Sequence, residues 1–119
     1  MASHLLQTQQ SEPAPGVLLI TLAGVILLGP ESECIEALAR GAIERGMRAI
    51  VFDLTEIKKI DSTGIGRFIS AYHIISSANA QLRMVAGPGI VRKCFQATRL
   101  ETVFRIVPSL SEALGSVKE

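Results

Sequence analysis

Apolar residues recur along this chain with two different periods, and their alternation predicts the fold. Val17-Leu18-Leu19-Ile20-Thr21-Leu22-Ala23 and Val25-Ile26-Leu27-Leu28 are β-rich runs on either side of Gly24, which predicts two buried strands with a bend or tight reversal between them. From Glu31 to Gly46 the apolar residues fall at Cys34, Ile35, Leu38, Ala39, Ala42 and Ile43, one stripe of a 3.6-residue period that Gly46 brings to a stop. Ala49-Ile50-Val51-Phe52 is a short continuous apolar run, as expected of a strand covered on both faces. Asp53-Leu54-Thr55 ends it, and Glu56 to Asp61 reads as a loop. Ile65, Phe68, Ile69, Tyr72 and Ile75 mark a second helix that fades near Asn79. Leu82 to Ala86 reads as a buried strand, and Gly87-Pro88-Gly89 leads into a third helix over Ile90, Val91, Cys94 and Phe95 that ends near Thr98. A short strand at Phe104-Arg105-Ile106-Val107 precedes a last helix, with Ser109 as its cap and Leu110, Ala113 and Leu114 facing inward.

Strands alternating with helices call for right-handed crossovers. The expected fold class is therefore α/β: a mixed, mostly parallel sheet of four to five strands packed with about four helices. Residues 1–15 are polar and carry Pro13 and Pro15, which predicts a flexible leader, with the domain spanning 16–119. In an open sheet of this kind the loops at the carboxyl ends of the strands carry the functional groups. Asp53 to Ser62 and Gly87 to Gly89 are such loops.

Composition narrows the function classes. A chain of 119 residues, 48% apolar and 19% charged, suits one domain with a real core. The net charge of +1, with no basic run, gives nucleic-acid binding no electrostatic basis. Cys34 and Cys94 stand far apart without a CxxC or Cys/His companion, so neither a metal site nor a disulfide framework is expected. The start lacks the charge and apolar core of a secretory signal, and Val17 to Leu28 falls short of the ~18 residues needed to cross a bilayer. A cytoplasmic protein without membrane insertion is the expectation.

The candidate chemistry gathers at Asp61-Ser62-Thr63-Gly64, where a strand-to-helix connection ends and a helix begins. On local sequence alone these residues read first as a helix cap, since Asp, Ser and Thr are preferred there. Lys58, Lys59 and Arg67 flank the segment; they suit contact with an acidic partner or a kinase-bound nucleotide, and equally plain solvation. Gly64 and Gly66 cost helix stability relative to Ala, so either a partner or the domain's own sheet must approach closely.

The whole segment Asp53-Leu54-Thr55-Glu56-Ile57-Lys58-Lys59-Ile60-Asp61-Ser62-Thr63-Gly64-Ile65-Gly66 resembles the signature of the STAS domain, the family of anti-sigma factor antagonists. The likeness runs from about Val17 to Leu114 and includes Val85-Ala86-Gly87-Pro88 and Pro108-Ser109-Leu110-Ser111-Glu112-Ala113-Leu114. By that resemblance Ser62 is the phosphorylated serine, and its neighbours Asp61, Thr63 and Gly64, with the flanking Lys58, Lys59 and Arg67, are the candidate partner-binding residues. The implied partners are a serine kinase that doubles as the anti-sigma factor and a serine phosphatase that resets the switch; no cofactor is implied. One departure stands out: the turn after the first strand usually leads into an acidic residue, and here Leu27 takes that place.

Three other readings compete. A nucleotide-binding domain would use Gly87-Pro88-Gly89, but Arg92 stands where a third glycine belongs and no GxxxxGK[ST] loop exists. A serine enzyme would need a base beside Ser62 and a G-x-S-x-G elbow; His4 and His73 lie elsewhere, Asp53 and Asp61 have no identifiable acid/base partner, and no catalytic residue is assigned. A STAS domain can also serve as a subunit of a stress-signalling assembly or of a lipid- or anion-transport complex.

Overall fold

The computed structural model describes residues 6–118. Five strands form one sheet in the order β1-β2-β3-β4-β5. They are β1 (Leu6–Ala14), β2 (Val17–Ile26), β3 (Ala49–Ile60), β4 (Gln81–Val85) and β5 (Ile106–Val107). The helices are α1 (Cys34–Glu44), α2 (Ser62–Ser77), α3 (Ile90–Ala97) and α4 (Leu110–Gly115), with a 3-10 turn at Pro30–Glu33 before α1. β1 runs antiparallel to β2, and β2, β3, β4 and β5 are parallel neighbours. The mixed, mostly parallel α/β fold expected from the alternation is the fold observed.

Because successive parallel strands lie side by side in chain order, right-handed crossovers place α1, α2 and α3 on one face of the sheet. That face holds the main core, where Ile20, Leu22, Ile50, Phe52 and Met84 meet Ile35, Phe68, Ala71 and Phe95. Edge-to-face aromatic contacts run from Phe52 to Phe68 (5.3 Å), on to Phe95 (6.0 Å) and Phe104 (5.5 Å). The alternate strand residues Val17, Ala49, Val51 and Val85 point the other way and pack with Ala113 of α4. Arg83 is buried on this side, its guanidinium bonded to the Ser116 hydroxyl and carbonyl at the end of α4.

Three sequence expectations are corrected. The leader expected over 1–15 forms β1 from Leu6 onward, paired with β2 from Leu6↔Gly24 to Ala14↔Val17; its first five residues, His4 among them, lie outside the described residues. The domain therefore begins before residue 16. Polar composition misleads here because an edge strand is held through its backbone and leaves most of its side chains in water. Second, Val17 to Ile26 is one strand: Gly24, at φ 111°, takes up a register irregularity rather than a reversal. Leu28, assigned to a buried strand, is 78% exposed, and Leu27 is half-buried. Third, Glu56 to Ile60 continues β3, pairing Ala23↔Glu56, Gly24↔Ile57, Val25↔Lys59 and Ile26↔Ile60 with β2.

Candidate functional site

Strand β3 runs to Ile60 and helix α2 starts at Ser62, so a single residue, Asp61, makes the connection. Its backbone is extended (φ −109°, ψ −176°), the conformation of an N-cap. Asp61 Oδ1 accepts the Gly64 N–H at 2.9 Å, and Oδ2 accepts the Leu28 N–H at 2.9 Å. The Asp61 N–H donates to Ile26 O at 3.2 Å, and Asp61 O accepts the Ile65 N–H at 3.0 Å. The Gly64 bond, with the Leu28 bond next, holds the Asp61 carboxyl below its ordinary range, outweighing the opposing effect of partial burial.

With the cap supplied by Asp61, the Ser62 hydroxyl is free of that duty. Ser62 is exposed at the first position of α2, and its Oγ makes no hydrogen bond within the described residues. Thr63 beside it is half-buried. The first turn of α2 carries no acidic side chain, so the positive end of a 16-residue helix is left uncompensated there beyond its cap. Lys58 and Lys59, exposed at the end of β3, lie just before it in the chain.

Two residues assigned to the partner surface do other work. Gly64 is buried: a Cβ on it would sit 2.6 Å from Ile26 O, 2.8 Å from Ile26 Cγ2 and 2.8 Å from Ile60 Cγ1. Its missing side chain lets the first turn of α2 press onto the ends of β2 and β3. Gly66 has nothing within 4 Å of the same position. Arg67 faces α1: its Nε donates to Ser32 Oγ at 3.1 Å, its Nη1 meets Glu36 at 3.3 Å and its Nη2 meets Glu33 at 3.9 Å. A long cation on a helix flank satisfies nearby acceptors of its own chain before any partner arrives, and here it ties α2 to the segment that opens α1.

At the carboxyl end of the sheet Asp61, Ser62 and Thr63 thus adjoin the loop after β2, while the loop after β4 lies further back along β3, beside Leu54, Thr55 and Ile57. Leu28 and Ile90, 78% and 66% exposed, are apolar side chains at this end. A cavity of about 230 Å³ lies between Leu54, Thr55 and Ile57 of β3 and Ala86 to Val91. Arg92 donates to Ala86 O at 3.1 Å, so it braces the Gly87-Pro88-Gly89 loop from within. A larger cavity, about 600 Å³, opens beside the start of β4 and the end of α2, away from Ser62. Sequence reasoning missed Leu28, Ser32 and Glu36; the available signal was the Gly29-Pro30 pair, which ends a strand and leaves the preceding residue in a loop. Among the described residues no helix is long and apolar enough to cross a membrane.

A family model described as STAS domain matches residues 8–113. Among solved structures, an anti-sigma factor antagonist from Mycobacterium paratuberculosis superposes with a TM-score of 0.82 at 20% identity, covering 99% of this chain and 98% of that one. The anti-sigma factor antagonist SpoIIAA in its unphosphorylated form gives 0.75 at 21% identity, over 94% of this chain and 100% of that one. The Bacillus cell fate determinant SpoIIAA in the phosphorylated form gives 0.73 at 20% identity, with the same coverage. No curated protein sequence gives a significant match. At these identities the structures establish a shared fold.

Proposed function

The chain belongs to the STAS domain family, and we propose that it is an anti-sigma factor antagonist: a binding module, not an enzyme, that acts in the cytoplasm and captures a serine kinase/anti-sigma factor while Ser62 is unmodified. Capture frees the sigma factor. Phosphorylation of Ser62 by the captured kinase releases the module, and a serine phosphatase resets it.

The observation that carries this reading is the exposed Ser62 hydroxyl, uncommitted among the described residues, at the start of a helix whose cap is already made by Asp61. Phosphate adds roughly 1.5 to 2 negative charges, and a helix N-terminus accommodates an anion. The fold therefore tolerates the modification, a view supported by SpoIIAA having been solved in unphosphorylated and phosphorylated forms that both superpose on this chain. The charge instead opposes a partner surface that had covered a neutral hydroxyl. A penalty of about 2 to 4 kcal/mol weakens binding by about 30- to 1,000-fold, enough to switch occupancy. Lys58, Lys59 and Thr63 complete the contact surface with Asp61 and Ser62.

The test is a pull-down from source cells with unmodified protein, read by mass spectrometry, followed by incubation of the recovered complex with ATP. The expected result is a serine kinase, one added phosphate on the wild-type chain with dissociation, and a Ser62→Ala chain that stays bound. Recovery of transport subunits instead, or equal behaviour of the two chains, overturns the reading.

A further inference from the structure

Asp61 joins two parts of the chain 33 residues apart. One carboxylate oxygen holds the α2 turn that carries Ser62, and the other holds the amide of Leu28 in the loop leaving β2. Further along, the same segment is fastened again from α2, by Arg67 on the buried Ser32 hydroxyl, which itself donates to Gly29 O. The stretch from Leu28 to Ser32 therefore has two attachments to α2. Only the Leu28 attachment depends on a charged group next to Ser62. Leu28 is also 78% exposed, so whatever moves its loop changes the apolar surface beside the serine.

We propose that Asp61 is a coupling residue: a phosphate on Ser62 draws on the same first-turn N–H groups and repels the adjacent carboxylate, which lets go of the Leu28 amide and frees the segment around Leu28 up to the Gly29 anchor. The inference rests on Ser62 being the modified residue and adds a second consequence of modification, a change in the surface around Leu28 besides the new charge. Two features argue for this route. Gly64 N–H, the donor that Asp61 uses in α2, belongs to the turn a phosphate on Ser62 would seek. Like charges on neighbouring residues disfavour one another when they share donors. The Arg67–Ser32 attachment, with Ser32 holding Gly29 O, confines the response, so Gly29, Ser32 and α1 stay in place while Leu28 moves.

The test is amide NMR and hydrogen exchange on the full chain with genetically encoded phosphoserine at position 62, which needs no kinase. Relative to the unmodified chain, the Leu28 amide is expected to shift and to exchange about tenfold faster or more, the loss of one charge-assisted hydrogen bond. The amides of Ser32, Ile50 and Phe52 are expected to be unchanged. In the Asp61→Asn chain, Leu28 exchanges fast before any phosphate is present, and phosphoserine adds nothing further. An unmoved Leu28 amide, a wild-type response in Asp61→Asn, or a loosening spread through the core overturns the coupling. Because the phosphate is installed directly, a failure of any kinase to modify Ser62 would count against the proposed function and leave this result standing.

Discussion

Two glycines of the same helix should respond to alanine with opposite signs. At Gly66 the new methyl meets nothing within 4 Å, so Gly66→Ala only gains helix propensity, about 0.5–1 kcal/mol. At Gly64 the same gain is offset by contacts of 2.6 Å with Ile26 O and 2.8 Å with the Ile26 and Ile60 side chains. Ile26 and Ile60 are buried, and Ile26 O already accepts the Asp61 N–H, so neither wall yields freely. Overpacking of this kind costs about 1–3 kcal/mol. With a backbone carbonyl as one wall the upper end applies, leaving a net loss of about 2 kcal/mol after the propensity gain. In a domain of this size 1 kcal/mol corresponds to roughly 4 °C. Gly64→Ala is therefore expected to melt about 8 °C below the parent and Gly66→Ala about 2–4 °C above it, read by circular dichroism and checked by urea midpoints. A Gly64→Ala chain that melts at or above the parent refutes the close approach and the seat it gives α2.

Other substitutions separate site from scaffold. Ser62→Ala and Ser62→Asp are expected to unfold within about 1 kcal/mol of the parent in urea, since the residue is exposed and a helix N-terminus tolerates an anion; a large loss in Ser62→Asp would mean that charge there melts the domain. Asp61 titrates below the ordinary carboxyl value because its charged form accepts the Gly64 and Leu28 amides. Its contribution is then complete above about pH 4 and fades as pH falls through the lower folded-state value. The stability gap between the parent and Asp61→Asn is accordingly expected to narrow below pH 4 in acid unfolding curves, and a gap independent of pH contradicts the assignment. Deleting residues 1–14 uncovers the edge of β2, so a lower urea midpoint and self-association on size exclusion are expected; unchanged behaviour would mean that β1 is dispensable.

Much of this architecture could be read from periodicity, and the misses share a cause. Phe52, Phe68 and Phe95 sit at apolar positions whose spacing names their element, because burial on one helical stripe or one strand face leaves a repeating mark in the sequence. β1 leaves none: Gln7, Gln9, Gln10 and Ser11 are exposed on a strand held by backbone pairing. The Pro15-Gly16 turn before Val17 was the one local hint of a hairpin. The far half of β3 hid in the same way, since Leu54, Ile57 and Ile60 are buried at intervals of three across a register irregularity rather than two. The position of Ser62 could be inferred from the segment it sits in. The roles of its neighbours were hidden, because what Arg67 and Gly64 touch depends on residues 26 to 36, brought alongside only by the crossover through α1.

In the proposed switch one exposed hydroxyl decides who docks while the domain stays folded. The deciding experiment titrates the recovered kinase against chains carrying serine or encoded phosphoserine at position 62, with the melting temperature of each chain taken alongside. The expected result is a loss of affinity of about 30-fold or more with melting temperatures that agree to within a few degrees. Equal affinities, or an affinity loss matched by collapse of the fold, would contradict it.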